Sequence, residues 1–177
     1  MAHSKKRLKV VVFLVAMFLM CALLAYTFLP NDPPPEKSLL SNFYAHRASY
    51  ERLRDMLRED KKLLRVATWG VETTESVPAS KPPEGTFPLN RYNEYLVLLG
   101  EIGALGALRG REGESKEVGV MMYASGFAGS TRHITTCWVE GQPTHQVRSL
   151  DEFYRTPKPR TPVYRHIDEN WYLWADW

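Results

Sequence analysis

The feature that most constrains this chain is an unbroken apolar run near its start. The residues from Val10 to Leu29 form a stretch of 20 without a charged side chain. At a rise of about 1.5 Å per residue, a helix of this length spans roughly 30 Å, the thickness of the hydrocarbon core of a bilayer. The sequence therefore predicts a transmembrane helix over residues 10–29, with the lipid bilayer as its partner.

Basic residues before the run set its predicted orientation. Residues 1–9 contain Lys5, Lys6, Arg7 and Lys9 and no acid. The positive-inside rule then keeps this tail in the cytoplasm and sends the rest of the chain across the membrane. We expect a single-pass membrane protein whose C-terminal domain lies on the side of the membrane opposite the cytoplasm.

Two alternatives to this signal-anchor stay open, a cleaved signal peptide and a lipoprotein signal. The apolar run is longer than the core of a typical signal peptide, which has about 7–15 residues. Cleavage after Ala25 would place Leu23 where a small residue is preferred, and Met20 precedes Cys21 where a lipoprotein signal needs a small residue. The uncleaved anchor is the reading that the residues favour.

The charge balance argues against nucleic acid as a partner. Apart from the tail, the chain has 19 basic and 20 acidic residues, so its pI near 8.8 reflects the tail alone. Domains that bind nucleic acid usually carry a basic excess on the folded part. With 44% hydrophobic and 24% charged residues, the remainder has the composition of a globular domain.

The chain divides into four predicted segments. A cytoplasmic basic tail (1–9) and the transmembrane anchor (10–29) precede a Pro-rich linker (30–37), whose three successive prolines favour a stiff extended spacer. The exported domain occupies 38–177. Within it, residues 70–89 contain four prolines, which predicts a flexible loop.

Hydrophobic periodicity predicts two main helices and about five strands. Apolar residues recur at helical spacing from Leu39 to Leu57, and again after Asn90 until glycines at 100 and 103 end the pattern. Strand-like stretches occupy Leu63 to Trp69, Glu117 to Ala124, Ile134 to Val139, Val163 to Ile167 and Trp171 to Ala175. This order predicts an α+β domain in which the helices pack on a largely antiparallel sheet.

Catalytic candidates are few. Cys137, His145 and Asp151 occur in the order thiol, imidazole, carboxylate, as in some cysteine hydrolases. Cys137 lies inside a strand-like run without a local motif, which is more typical of a small core residue. A tethered hydrolase that uses these residues, or Ser125 or Ser130 with a histidine, is therefore the alternative hypothesis.

Metal, cofactor and disulfide chemistry are not expected. His133 and Cys137 are four residues apart, and on a strand this spacing separates them by about 13 Å, too far for one metal ion. Cys137 is the single cysteine after the apolar run, so the exported part has no internal disulfide. We predict a domain that folds by its core alone.

The aromatic segment near the end of the chain is the most distinctive stretch. Alternation along a strand places Trp171 and Leu173 on one face and Tyr172 and Trp174 on the other. We expect Trp171 to be buried, and we take Tyr172, Trp174 and Trp177 as candidate binding residues.

Three stretches resemble a group of small uncharacterised bacterial proteins. They are His46-Arg-Ala-Ser-Tyr-Glu-Arg-Leu53, Arg91-Tyr-Asn-Glu-Tyr95 and Tyr164-Arg-His-Ile-Asp-Glu-Asn-Trp-Tyr-Leu173. The resemblance covers residues 40–177 and implies an N-terminal membrane segment or lipoprotein signal followed by one exported domain. It thus implies a location in the bacterial inner membrane, with that domain in the periplasm or outside the cell. It transfers no functional residue. The leading functional hypothesis is a binding or accessory module of the cell envelope, with an envelope protein or a cell-wall component as partner.

Overall fold

The structure, a computed structural model, describes Val15 and residues 17–20, 32–75, 87–110, 116–126, 131–155 and 161–176. The chain divides into two units, Met1–Asp32 and Pro33–Trp177. In the first unit, Val15 and residues 17–20 are helical and their side chains are exposed. The second unit contains every other element described below.

The prediction of a transmembrane helix is contradicted. Among the residues that the structure describes, no helix has both the length and the apolar character that crossing a bilayer requires. Most of residues 10–29 and all of the tail 1–9 lie outside those residues. The bilayer as a partner and the inner-membrane location stay predictions.

Two helices replace the single helix expected from Leu39 to Leu57. Helix α1 spans Glu36–Ala45, directly after the prolines of the linker, and α2 spans Arg47–Glu59. They are separated at His46, whose φ of −122° and ψ of 26° leave the helical region. The break allows the rings of Phe43 and Tyr50, one from each helix, to pack against Trp171 at centroid distances of 5.5 and 5.9 Å.

Arginines from other elements hold the end of α2. Arg109 donates hydrogen bonds to the carbonyl oxygens of Leu57 and Asp60, and Arg91 forms ion pairs with the carboxylates of Asp60 at 2.8 Å and Glu59 at 2.7 Å. Carbonyl groups in the last turn of a helix lack intrahelical donors and carry partial negative charge. The two guanidinium groups therefore stabilise the point where α2 turns into the sheet.

The remaining helices differ in length. Helix α3 spans Leu89–Ile102 and ends at Gly103, whose φ of 65° lies in the left-handed region that glycine adopts without steric cost. This agrees with the prediction of a second helix ended by glycines. Helix α4, Leu150–Arg155, is a short helix in a stretch whose sequence favours no single element.

The strands that the structure describes in this domain form a single antiparallel sheet. Its strands are β1 (Leu63–Ala67), β2 (Gly70–Thr73), β3 (Gly106–Arg109), β4 (Lys116–Ser125), β5 (Arg132–Val139), β6 (Val163–Asp168) and β7 (Trp171–Asp176). The order across the sheet is β2-β1-β3-β4-β5-β7-β6, and each neighbouring pair is antiparallel.

The prediction of about five strands is wrong, because the sheet has seven. The two unexpected strands, β2 and β3, have four residues each and begin with glycine. β2 occupies the start of the predicted flexible loop 70–89, of which residues 76–86 lie outside the described chain. At Gly106 an added Cβ would lie 2.7 Å from the carbonyl oxygen of Val66, so glycine is what allows β3 to approach β1.

One face of the sheet, which we call the helix face, carries the core. The largest buried cluster joins residues of α1, α2 and α3 to strand residues that include Val66, Val120 and Trp171. A second cluster joins Leu39 of α1 and Leu150 and Phe153 of α4 to Ile134, Val163, Leu173 and Ala175. The predicted burial of Trp171 is confirmed, since its side chain has no exposed surface.

Burial on the helix face also changes the acidity of two tyrosines. Burial raises the pKa of Tyr50, whose hydroxyl donates a hydrogen bond to Oδ1 of Asn42, to about 12. Burial and the hydrogen bond to Asp60 raise the pKa of Tyr95 further. Both phenols therefore stay protonated well above the usual range.

Candidate functional site

The opposite surface of the sheet, which we call the far face, brings together side chains from β5, β7 and β6. The strand register places His133 beside Asp176, Thr135 beside Trp174, and Cys137 beside Tyr172. On the next strand, Tyr164 pairs with Trp174 and His166 with Tyr172. Because side chains alternate along a strand, all of these point to the same side.

Two layers can be distinguished on this face. Thr135, Cys137 and Tyr172 are buried, and the cluster that Cys137 and Tyr172 form with Val139 contains no helix residue. Around them lie more accessible side chains, of which His166 is exposed and the others half-buried. We call this outer group the far-face patch: His133, Tyr164, His166, Trp174 and Asp176.

The buried ring of Tyr172 packs against two rings of the patch. Its ring meets Tyr164 edge-on at a centroid distance of 6.2 Å and an interplanar angle of 89°. It meets the imidazole of His166 at 5.1 Å and 68°. Edge-to-face arrangements of this kind are favourable for aromatic rings. Tyr172 is only 4% exposed, so it positions the other two rings and offers little surface of its own.

His133 and Asp176 form the polar part of the patch. Oδ1 of Asp176 accepts the backbone N–H of His133 at 3.0 Å and lies 3.1 Å from Nδ1 of its imidazole. About a third of each side chain is exposed, with values of 31% and 30%. A carboxylate on one ring nitrogen fixes the orientation of the imidazole and leaves the other nitrogen for a further hydrogen bond.

The three catalytic candidates lie on three separate elements. Cys137 is a buried thiol on β5, and His145 is an exposed residue in the segment that pairs with the outer edge of β6. Three inter-strand spacings, about 14 Å, separate the main chains at these two positions. Asp151 lies in the first turn of α4, where its carboxylate accepts the backbone N–H of Glu36 at 3.0 Å.

The surroundings of Cys137 make it a closed position. Its side chain has no exposed surface and packs in one buried cluster with Val139 and Tyr172. A thiol enclosed in this way packs as a small apolar side chain, because reactive cysteines need access and a stabilised thiolate.

Other candidates fall at the margins of the described chain. Ser125 is the last residue of β4 and pairs with Arg132, whereas Ser130 and Trp177 lie outside the described residues. Within the described ranges, no group of three or more His, Cys, Asp or Glu side chains has the geometry to hold a metal ion.

Sequence reasoning found only part of this site. Trp174 and Tyr172 were among the candidate binding residues, whereas His133, Tyr164, His166 and Asp176 were not. The period-2 alternation of residues 163–176 is the signal that places Tyr164 and His166 on the face of Tyr172 and Trp174. The pairing of β5 with β7, on which His133 and Asp176 depend, joins residues far apart in sequence and leaves no local pattern.

The comparisons with known proteins add no relative. No protein-family model matches the chain, and neither a curated protein nor a solved structure is similar to it.

Proposed function

We propose that this chain is an exported binding module that contacts a cell-wall glycan through the far-face patch. The observation that carries the proposal is the juxtaposition of half-buried aromatic rings with a paired imidazole and carboxylate on three adjacent strands. A sugar ring offers C–H groups that pack on an aromatic face and hydroxyls that hydrogen-bond to such polar groups. The location outside the cytoplasm rests on the sequence order of basic residues, apolar run and globular domain.

A glycan fits this surface better than a protein partner does. The cores of protein interfaces are rich in contiguous apolar and aromatic surface. Among the described residues, the strongly exposed large apolar side chains are Val15, Met17, Phe18, Leu19, Met20, Tyr44, Trp69, Leu89, Val97 and Leu105, and none of them belongs to the patch. The patch instead combines small accessible ring areas with hydrogen-bonding groups.

The test is co-sedimentation of the full chain, in mild detergent, with purified peptidoglycan. We expect Trp174→Ala and His166→Ala each to weaken binding at least about fivefold, the effect of losing more than 1 kcal/mol at a contact residue. Trp69→Ala is the matched control, because Trp69 is 45% exposed but lies in the turn between β1 and β2, at the other end of the sheet.

Two outcomes would contradict the proposal. One is that the wild-type chain fails to sediment with peptidoglycan. The other is that the patch variants and Trp69→Ala bind equally well, which would place any glycan contact elsewhere on the molecule.

A further inference from the structure

The outer edge of β6 is paired with a short piece of the same chain. Tyr164 donates its N–H to the carbonyl oxygen of His145 at 3.1 Å and accepts the N–H of Val147 at 2.8 Å. These bonds form a parallel bridge between Gln146 and Tyr164. The segment therefore pairs with the edge of β6 as an added strand would, but over one residue.

This segment, residues 144–149, is anchored at its two ends and at Val147, which packs against the second buried cluster, and we call it the strap. Pro143 before it and Leu150 after it are buried, and Leu150 is further fixed by the hydrogen bond from its N–H to Oε2 of Glu36 at 2.6 Å. Within the strap, residues 144–146 and Arg148 are exposed. Between its ends, the packing of Val147 and the two hydrogen bonds to Tyr164 oppose the lifting of the strap, and the exposed residues around them add little.

The strap pairs with β6 over a single residue because its backbone leaves the extended conformation. His145 has a φ of 58°, a left-handed value that is unfavourable for a residue with a side chain. On the other side the chain turns into α4 at Leu150. An extended peptide without these two constraints could continue the pairing along β6.

The edge of β6 has further backbone N–H and C=O groups with which a longer strand could pair. Outward and inward residues alternate along an antiparallel strand, so His166 turns its backbone N–H and C=O outward as Tyr164 does. The carbonyl oxygen of His166 accepts a hydrogen bond from the guanidinium of Arg165, a side-chain donor that a backbone N–H can replace. Among the described residues, the strap is the one segment that pairs with this edge.

From these contacts we propose that the β6 edge is a strand-addition site for an extended polypeptide, and that the strap is an internal competitor that closes it. The ligand is recognised by its backbone and lies parallel to β6. The site shares Tyr164 and His166 with the far-face patch, but it uses their backbone groups at the edge of β6 rather than their side chains, and it does not rest on the glycan proposal.

The test uses a labelled synthetic peptide with the sequence of residues 142–149 and the full chain, with binding measured by fluorescence anisotropy. A short tether gives the strap an effective concentration in the millimolar range, so the wild-type chain should bind the peptide weakly. Val147→Pro removes the N–H that closes the strap, and we expect at least tenfold tighter binding. Val147→Ala keeps that N–H but removes the packing of the side chain on the second buried cluster, so it should tighten binding less than Val147→Pro does.

A second pair of variants locates the binding. In the Val147→Pro background, His166→Pro removes an outward N–H of β6 and should abolish binding, whereas His166→Ala removes only the side chain and should preserve it. Loss of binding in both would assign it to the imidazole, and retention in both would assign it to another surface. Either result overturns the proposal.

Folding of each variant is checked by near-ultraviolet circular dichroism. If Val147→Pro fails to fold, the double variant Gln146→Gly with Val147→Gly weakens the strap through backbone entropy and keeps both donors. Absence of peptide binding in a folded variant with an opened strap would also overturn the proposal.

Discussion

The two faces of β7 show how one strand serves two purposes. On the helix face, Trp171, Leu173 and Ala175 are completely buried and belong to the two large clusters. On the far face, Tyr172 is buried while Trp174 and Asp176 remain half-buried. Alternate residues of β7 therefore have different roles. Those on the helix face stabilise the core, and those on the far face place side chains where a ligand can reach them.

The contrast lies in the partners of each face. Trp171 packs against aromatic rings of α1 and α2, and its Nε1 has no hydrogen-bond partner. The far face instead satisfies polar groups across the strands, as the His133–Asp176 pair does. On the helix face, the packing of the Trp171 ring outweighs the cost of its unpaired N–H, so this face contributes to the core. On the far face, the aligned imidazole and carboxylate are suited to contact with a polar ligand.

The largest expected effect follows from removing the ring at the centre of the helix face. Trp171→Ala should cost about 3–5 kcal/mol, because deletion of a buried aromatic loses its burial and leaves a cavity. Domains of this size are stable by about 5–15 kcal/mol, so the variant should be marginal or unfolded. Urea unfolding measures the effect, and an unchanged midpoint and slope would show that the aromatic strand does not support the core.

A second test probes the buried phenols of the helix face by alkaline titration. An unfolded tyrosine ionises near pH 10, whereas the pKa of Tyr50 in the folded chain is about 12. The unfolded state therefore loses its proton first, so this contribution to stability is complete below pH 10 and is lost as pH rises through 12, by about 2–3 kcal/mol.

Tyr50→Phe is the control for this titration. The variant keeps the ring and removes the ionising group, so its free energy of unfolding should fall less steeply between pH 10 and 12. Identical slopes for the variant and the wild type would show that Tyr50 does not carry the effect.

A smaller effect is expected where the helix face meets the β6 edge. Glu36 is 7% exposed, accepts the N–H of Leu150, and forms an ion pair with Arg165 at 2.9 Å. Glu36→Gln keeps an acceptor but removes the charge, which should cost about 1–2 kcal/mol. Glu75→Gln is the matched control, because its pair with Lys62 is largely exposed and should contribute under 1 kcal/mol. Equal losses in thermal or urea unfolding would mean that the Glu36 contacts are no stronger than a surface pair.

The smallest expected effect belongs to the far face. Trp174→Ala should destabilise the domain by about 1 kcal/mol, because its ring is half-buried and loses only part of the burial that Trp171 loses, although it should impair glycan binding. The measurement is the same urea titration as for Trp171→Ala. A loss as large as that of Trp171→Ala would mean that both faces of β7 are core.

Local patterns in the sequence predicted the α3 helix and the β6–β7 hairpin. The α3 helix has a capping glycine and a clear apolar stripe, and the β6–β7 hairpin has two strand-like runs on either side of a polar turn. The break at His46 was missed because residues on both sides keep one helical periodicity. β2 and β3 were missed because four residues are too few to show alternation, and their glycines suggested a loop.

The candidate site was harder to predict because it depends on pairing between distant strands. The alternation from Tyr164 to Trp174 was visible, and it correctly separated Trp171 from Trp174. By contrast, Asp151 appeared as a catalytic carboxylate in the sequence, whereas the structure uses it to receive the first N–H of a helix 115 residues away. Sequence order carries no information about such a contact, since only the finished fold brings Glu36 and Asp151 together.

The position of β7 between β5 and β6 has a consequence for the synthesis of this chain. β5 is complete at Val139, but the strand that covers its edge begins only at Trp171. A chain that ends before Trp171 lacks this strand, so its β4–β5 hairpin presents an open edge beside Ile134 and Thr136, both of which are buried in the finished domain. Open apolar edges of nascent chains are sites of aggregation. A chain interrupted within this interval should therefore be a substrate for chaperones and proteases, whereas one that includes the β6–β7 hairpin can close its sheet.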